Sequence, residues 1–239
     1  MQQPISTPLS AIAPRATDAG AAAARYAVLR RLAPALKHDM VVHLQSVAMM
    51  AEVMSARMDK GEADTVELQN SVSRMNRLAR QAVLACLKVT EWIDPAADES
   101  VRLSDGVQES YALLQSSLNF RGFSVHNAVA PSDFEVSRVA LRNLLPAALL
   151  GLADAAHSTC KLTLEAQMAP DSVRLSIYCA EHIPAAIQNG ADLPQPRLHW
   201  ADVQALADLE SVGLEVSEHR ISMRFPRMVP TTALQIAPV

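Results

Sequence analysis

The chain has 239 residues, a net charge of −4 from 21 lysines and arginines against 25 aspartates and glutamates, and only 7 glycines. Glycine is thus about 3% of the chain, against an average of roughly 7%, and the closest pair, Gly106 and Gly122, is 16 residues apart. Loops that cradle nucleotide phosphates need several glycines close together, because only glycine lets the backbone approach a phosphate closely. The composition therefore argues against a P-loop, a dinucleotide-binding fingerprint and a glycine-rich kinase lid.

The rest of the composition is typical of a globular protein, with 50% hydrophobic and 19% charged residues. A slightly acidic balance and few aromatic residues argue against an extended nucleic-acid surface. No apolar stretch is long enough to span a membrane, and residues 1–24 lack the basic start and apolar core of a secretory signal. We therefore expect a cytoplasmic protein with neither nucleic-acid nor membrane partners.

Three cysteines, Cys86, Cys160 and Cys179, stand apart from one another inside apolar patterns. Disulfides are rare in cytosolic proteins, and an unpaired cysteine behaves as a small buried hydrophobe. We therefore expect all three thiols to be buried and reduced.

The N-terminal part divides into a tail and a helical hairpin. Residues 1–24, rich in alanine, proline, serine and threonine, are predicted to be a disordered tail, and residues 25–95 have a helical pattern. A polar loop at 59–62 separates two apolar stripes with the spacing of helices that pack against other helices. The first stripe is Leu29, Leu32, Leu36, Met40, Leu44, Val47, Ala51, Met54 and Met58, and the second is Leu68, Val72, Met75, Ala79, Ala82, Cys86, Val89 and Ile93.

A lone hairpin leaves both stripes half covered, whereas a second copy would cover them in a four-helix bundle. The pattern thus predicts a homodimer that forms through residues 25–95. Pro34 lies near the start of the first stripe, where it marks either the first helical turn or a kink.

Residues 100–226 have the mixed pattern of an α+β unit. Helices are predicted at 104–119, 136–155 and 200–210, and strands at 123–129, 159–168, 172–180, 214–218 and 220–225. This order predicts a sheet with helices on one face, an α/β sandwich. Residues 227–239 are predicted to be a loose tail. The predicted fold class is therefore α+β, a helical hairpin followed by a sandwich.

The most informative segment of the first helix begins at His38. Steps of seven from Arg31 reach His38 and Gln45 along a polar line away from the apolar stripe, so we expect His38 to project into solvent. His43 lies at the edge of the apolar face. A five-residue step turns the second histidine by about 140° around a helix, whereas two histidines that share a metal lie four apart. No metal site is therefore predicted.

An exposed histidine, the acidic Asp39 next to it and an apolar residue six positions after it resemble the phosphoacceptor box of bacterial histidine kinases and histidine phosphotransferases. The order of elements after Glu99 also resembles the ATP-binding domain of those kinases. Together the two resemblances cover about residues 26–226. They imply a dimeric phosphoacceptor hairpin at 25–95 and an ATP-binding-like sandwich at 100–226.

The second domain departs from the kinase pattern where nucleotide chemistry would occur. Asn143 matches the first asparagine of the family's asparagine box, but Ala147 stands where the magnesium-binding asparagine would be. The stretch 177–184 keeps an Ile-Pro pair and lacks the Asp and the two glycines that hold adenine. Asn143 is then expected to be a capping or core amide. The departures imply a degenerate ATP-binding domain that holds no cofactor.

The resemblance implies a phosphorelay role, in which His38 takes a phosphoryl group from a receiver-domain aspartate and passes it to another receiver. Asp39 would accept a hydrogen bond from the imidazole and stabilise its positive charge, and the receiver would supply the magnesium ion. The implied partners are response-regulator receiver domains, a hybrid histidine kinase, or both. Val41, Val42, Gln45 and Met49 are candidate docking residues, although the apolar ones could instead thicken the bundle core.

Two other functions fit the same residues. His43 lies four residues after Asp39, where some related kinases place a residue that orients water, so the chain could be a receiver phosphatase. It could also be a non-catalytic pseudokinase adaptor that binds a partner through the helical bundle.

Overall fold

The chain folds into a helical hairpin and an α+β sandwich that pack against each other. A computed structural model describes residues 16–61, 64–96, 98–156, 159–181, 183 and 197–228. Helix α1 covers Ala16–Asp59 and helix α2 covers Thr65–Ile93, and Gly61 takes a positive φ in the turn between them. The predicted α+β class and the predicted hairpin are confirmed.

The described part of the second unit contains short and long elements in alternation. In chain order these are β1 (Ser100–Arg102), α3 (Leu103–Phe120), β2 (Ser124–Asn127), β3 (Glu135–Ser137), α4 (Arg138–Ala155), β4 (Lys161–Met168), β5 (Ser172–Cys179), α5 (Trp200–Leu209), β6 (Gly213–Ser217) and β7 (Arg220–Pro226). Every predicted helix and strand of this unit is present. The sequence pattern missed β1 and β3, because a strand of three residues is too short to show an alternation.

The main sheet has five strands in the order β2-β4-β5-β7-β6. Strand β2 pairs with β4 in parallel, and the other pairs are antiparallel. Strands β1 and β3 form a separate antiparallel pair beside it. Along β5 and β7, alternate apolar residues point to one face and are fully buried there. That inner face forms one side of the hydrophobic core.

Helix α4 lies at the centre of the molecule. Its residues from Ala140 to Ala155 are all buried. Most of them are apolar, as in a helix that is enclosed on every side, and Arg142, Asn143 and Asp154 are its buried polar residues. One side of α4 faces the core that includes the sheet, and α3, α5 and the N-terminal half of α1 lie around it. The molecule therefore has an additional helical layer on the sandwich, and α1 supplies it.

The N-terminal boundary of the first helix differs from the prediction. Helix α1 begins at Ala16, so residues 16–24 are not part of a disordered tail. Ala21 and Ala24 are buried in the core, and a Cβ added at Gly20 would lie 3.9 Å from that of Ala205 in α5. Alanine has the highest helix propensity, and its small side chain permits this close packing. Residues 1–15 lie outside the described residues.

Pro34 lies in the interior of α1, not in its first turn. The helix continues through it, and the proline ring is exposed. A proline cannot donate to the carbonyl four residues earlier, and on an exposed helix face water can satisfy that carbonyl.

Cys160 and Cys179 are buried as predicted, but the prediction that they are reduced is wrong. Cys160 and Cys179 form a disulfide, with their Cα atoms 6.5 Å apart. Leu162 of β4 pairs with Cys179 of β5. Cys160 lies two residues before Leu162, so the strand register brings the two cysteines close together. Cys86 on α2 is half-buried and free.

Among the described residues, no helix combines the length and the apolar character that crossing a bilayer requires.

Candidate functional site

His38 lies near the middle of α1 with its side chain 74% exposed, and Asp39 beside it is 55% exposed. The predicted exposure of His38 is confirmed. Arg31, seven residues earlier on the same polar line, is not exposed in this way. The sandwich covers its side chain, which is 8% exposed. The imidazole of His38 is therefore open to a macromolecule from outside, while the helix below it is held by the second domain.

The carboxylate of Asp39 lies beside one edge of the imidazole. Its Oδ1 is 3.7 Å from Nδ1 of His38, which is beyond hydrogen-bond distance. The predicted hydrogen bond is therefore not formed in this conformation. Nδ1 is the ring nitrogen nearer to Asp39, which leaves Nε2 on the other side of the ring.

A cleft of about 510 Å³ opens beside His38 between α1 and α3. From α1 it is lined by Arg31, Pro34, Ala35, His38 and Asp39, and from α3 by Ala112, Leu113, Ser116 and Ser117. The second domain thus contributes residues to the immediate surroundings of the histidine.

A second groove, of about 320 Å³, lies between α1 and α2. His43 and Asp39 line it from α1, and Gln81 and Lys88 line it from α2. Asp39 therefore borders both clefts, whereas His38 and His43 open into different ones. Groups of three or more histidine, cysteine or acidic side chains that could hold a metal are absent from the described part of the chain.

The candidate docking residues on α1 differ in exposure. Val42 and Met49 are exposed apolar side chains, Gln45 is exposed, and Val41 is half-buried. The residues that follow His38 therefore form a mixed apolar and polar surface on one helix.

A third feature of the hairpin is an apolar patch with a groove of about 360 Å³. It consists of Leu44, Val47, Ala79, Ala82, Val83, Cys86, Leu87 and Thr90. Leu44, Val83 and Leu87 are each about half exposed. Contiguous exposed apolar surface of this kind marks an interaction site more often than a solvated surface.

A buried ion cluster centred on Asp154, in the last turn of α4, fixes α1 to the sandwich. Arg31 donates to Asp154 through Nη1 at 2.7 Å and through Nη2 at 3.0 Å. Arg121 donates to the same carboxylate at 2.8 Å, and the backbone N–H of Leu198 donates at 3.2 Å. The Asp154 side chain has no exposed surface. A buried carboxylate is tolerated when it is paired and hydrogen-bonded in this way.

Burial by itself would raise the pKa of Asp154. The hydrogen bonds and the positive charge of Arg31, with further hydrogen bonds from Arg121 and Leu198, outweigh burial and hold that pKa below its ordinary value. A group whose pKa is lowered by folding stabilises the folded state above its unfolded pKa, and that stabilisation is lost as the pH falls through the folded pKa. The cluster is therefore intact at neutral pH and weakens in acid.

Arg142 ties the end of α2 to the sandwich in a similar way. Its guanidinium donates to the carbonyl oxygen and to the carboxylate of Glu91, both at 3.1 Å, and to Glu109 at 2.8 Å. It also lies 5.1 Å from the ring centroid of Trp92, within the range of a cation–π contact. Both helices of the hairpin are thus joined to α4 by buried arginine contacts.

The helix that resembles the asparagine box is engaged in packing. The amide Nδ2 of Asn143 donates to Oε1 of Glu210 at 2.7 Å, and Ala147 is fully buried. Asn143 is therefore a core amide, as expected. His182 and residues 184–196, which include part of the second departure from the kinase pattern, lie outside the described residues.

Sequence reasoning missed Arg31, Asp154 and Arg142 as residues that position the site. A signal was available in part, because Arg142 and Asp154 are charged residues with apolar neighbours inside a mainly apolar helix. Such isolated charges are rarely buried unless they are paired. Their partners could not be read from the sequence, because Arg31 and Asp154 are 123 residues apart.

No protein-family model matches the sequence, and no curated protein matches it. The mycobacterial sensor histidine kinase MprB is a similar solved structure, with 15% identity, 54% of this chain and 97% of that chain covered, and a TM-score of 0.43. The Acinetobacter baumannii histidine kinase AdeS has 14% identity, coverages of 79% and 97%, and a TM-score of 0.43. Histidine kinase ThkA, in complex with response regulator protein TrrA, has 16% identity, coverages of 85% and 63%, and a TM-score of 0.42. At such low identities and TM-scores these similarities assign no function to the chain. A functional assignment rests on the chain's own residues.

Replacing Asp154 with asparagine should lower the free energy of unfolding at pH 7 by about 3–5 kcal/mol, because Arg31 and Arg121 would keep buried charges without a counter-ion. Urea denaturation followed by circular dichroism measures this change. Wild type should also lose stability as the pH falls below about 4, and Asp154→Asn should lose less over the same interval.

The matched control is Glu67→Gln, which removes the exposed ion pair between Glu67 and Arg57. Exposed pairs contribute roughly 1 kcal/mol or less, so this variant should unfold close to wild type. Equal losses of stability in the two variants would contradict the role assigned to the ion cluster.

Proposed function

We propose that the chain is a histidine phosphotransfer protein, which relays a phosphoryl group between receiver domains through His38 without ATP-dependent kinase activity. The observation that carries this proposal is an exposed histidine, with a carboxylate beside its Nδ1, on a long helix of a two-helix hairpin. A group that exchanges phosphoryl with a separate protein has to be exposed on a rigid element.

The transfer step forms a bond between Nε2 of His38 and phosphorus and breaks the bond between phosphorus and the receiver's aspartyl oxygen, which leaves as a carboxylate. A neutral imidazole is nucleophilic at physiological pH. Nδ1 keeps its proton, and the positive charge that develops on the ring is stabilised by Asp39 after a small rotation closes the 3.7 Å gap. The reverse step passes the group to a second receiver. Charge on the transferring oxygens is offset by a magnesium ion that we expect the receiver to hold.

The surface around His38 supports docking of a receiver domain of a response regulator or of a hybrid histidine kinase. Val42, Gln45 and Met49 extend along α1 from the histidine, and Val41 lies half-buried beside them. The two clefts that border Asp39 open on either side of this helix. A partner at His38 would therefore meet apolar anchors with a polar surround, which is the composition of many binding surfaces.

Two features of α4 support the absence of nucleotide chemistry. Asn143 already donates to Glu210, and Ala147 has no side-chain oxygen to offer a magnesium ion. The scarcity of glycine in the chain points the same way, since no closely spaced glycines are available to cradle phosphates.

Incubation with a phosphorylated receiver domain should transfer acid-labile label to the wild-type chain and not to His38→Ala, because His38 is exposed and has the Asp39 carboxylate beside its ring. Radiolabelled phosphoryl transfer, resolved on neutral gels, measures the reaction. Asp39→Asn should slow transfer by about ten-fold or more, since a hydrogen bond to a charged group is typically worth about 1.5–3 kcal/mol.

The matched control is His43→Ala, which removes the other histidine of the same helix and should leave labelling intact. If wild type takes no label but accelerates phosphate release from the receiver, and His43→Ala abolishes that release, the chain is a receiver phosphatase. If a receiver binds and no phosphoryl chemistry occurs, the chain is an adaptor. Either result would contradict the relay.

Isothermal titration of the chain with magnesium and ATP should give no heat of binding, because Asn143 is engaged and Ala147 is buried. The expected dissociation constant lies above the millimolar range. A histidine kinase with an intact asparagine box serves as the positive control, and micromolar binding by this chain would overturn the claim that the nucleotide site is lost.

We also propose that the apolar patch on the hairpin is covered by a second copy of the chain, which gives a homodimeric four-helix bundle. The patch joins α1 to α2 along the stripes that the sequence predicts as a seam, and stripes of this spacing pack against other helices. His38 lies outside the patch, so it stays exposed in the dimer.

Leu87→Glu should convert the dimer to a monomer, because it places a charge in the centre of the patch where Leu87 is 52% exposed. Sedimentation velocity at micromolar concentration measures the oligomeric state. The matched control is Leu209→Glu on α5, where an equally exposed leucine lies away from the patch and the dimer should persist. A monomeric wild type, or dissociation in both variants, would contradict this interface.

A further inference from the structure

The outer face of the five-stranded sheet carries a pair of arginines that oppose each other. The register pairs Arg174 of β5 with Arg224 of β7, and both alternate with the buried apolar residues of their strands, so both lie on the face away from the core. Like charges directly opposite each other on neighbouring strands destabilise a sheet. The arrangement is therefore unfavourable for the isolated protein and needs an explanation.

No acidic group in the described part of the chain forms a direct ion pair with either arginine. Among the described residues, neither Arg174 nor Arg224 takes part in an ion pair or a side-chain hydrogen bond. The next pair on the same face, two residues along each strand, is Ser176 and Ser222. Their hydroxyls are buried and form a hydrogen bond with each other at 3.1 Å. The guanidinium donors of both arginines are thus available to a ligand.

Two hollows adjoin the arginine pair, and both arginines line each of them. One hollow, of about 240 Å³, extends toward β6 and includes Gly213 and Glu215. The other, of about 400 Å³, extends toward the β4–β5 turn and includes Gln167 and Asp171. Together they form a trough across four strands, about 14 Å long at the usual strand spacing. Roughly four extended residues span that length.

The charge of this face is opposite to that of the whole chain. Its basic residues, from the strand alternation, are Lys161, Arg174, Arg220 and Arg224, and its acidic residues are Glu165 and Glu215. Asp171, in the β4–β5 turn, borders the face, so basic residues still outnumber acidic ones. The chain as a whole has a net charge of −4. A basic face on an acidic protein attracts acidic partners selectively.

We infer that Arg174 and Arg224 form a docking site for an extended acidic segment of a partner protein, with carboxylates bound by the two guanidinium groups. Each guanidinium can bind a carboxylate through two parallel N–H donors. A bound acidic segment would also remove the repulsion between the arginines. The chain's own segments outside the described residues at 1–15, 184–196 and 229–239 contain a single acidic side chain, Asp192, so they do not supply such a segment. This site is separate from His38 and does not rest on the phosphotransfer proposal.

The test uses a fluorescein-labelled hexa-aspartate peptide as probe and the full chain, with binding followed by fluorescence anisotropy. Wild type should bind saturably and more weakly as salt rises. Arg174→Ala/Arg224→Ala should weaken binding by about ten-fold or more, since hydrogen bonds to charged groups are worth about that factor. Arg174→Lys/Arg224→Lys should fall in between, because lysine keeps the charge and loses the paired donors.

The matched control is Arg77→Ala/Arg80→Ala, which removes two exposed arginines from α2 and should leave binding unchanged. Thermal melting checks folding, and the Arg174→Ala/Arg224→Ala variant should melt no lower than wild type, because the repulsion is gone. The single variant Arg224→Ala serves if the double variant fails to fold. The proposal would be overturned by the absence of saturable binding or by equal weakening in the α2 control. A changed oligomeric state of the double variant would also overturn it, because a second copy of this chain would then be the occupant of the site.

Discussion

The ion cluster at Asp154 is the interaction on which the arrangement of the molecule depends. A carboxylate without exposed surface has to be neutralised and hydrogen-bonded, and Arg31 and Arg121 do both. Arg31 belongs to α1, while Arg121 follows α3 and Leu198 precedes α5. One buried charge therefore joins the hairpin to three elements of the sandwich, and removing any partner leaves the others in an apolar environment.

This constraint determines where His38 lies. Arg31 and His38 are seven residues apart, close to two helical turns, so they share a face of α1. When the cluster holds Arg31 against α4, the same face brings His38 to the end of the contact with α3, where the cleft opens. Arg142 fixes the end of α2 to the same helix. Both helices of the hairpin are thus joined to the sandwich, and His38 lies at the edge of this contact.

Helix α4 has an unusual combination of roles. It resembles the asparagine box in sequence, and in the structure it is the central packing helix, with its polar residues used for internal contacts. Arg142 binds Glu91 and Glu109, Asn143 binds Glu210, and Asp154 binds Arg31. The scarcity of glycine and this internal use of α4 both support the proposal of a chain without ATP-dependent kinase activity.

The sequence predicts the elements that repeat over many residues and misses those defined by contacts. The stripes from Leu29 to Ile93 predict the hairpin, and the alternation in β4, β5 and β7 predicts the main strands. The prediction of a disordered tail is wrong for residues 16–24. An alanine-rich stretch has no apolar periodicity, and its packing on α5 is a tertiary contact. The exposure of His38 followed from helical spacing, whereas the Asp154 cluster and the Cys160–Cys179 disulfide join residues that only the fold brings together.

The most direct test of the central claim is to locate the phosphoryl group on the chain. Trypsin cleaves after Lys37 and Arg57, so one peptide, 38–57, contains both His38 and His43. After incubation with a phosphorylated receiver at neutral pH, electron-transfer fragmentation of this peptide should place the added phosphoryl mass on His38. Phosphoryl mass on His43 or on a peptide other than 38–57, while His38 stays unmodified, would contradict the account.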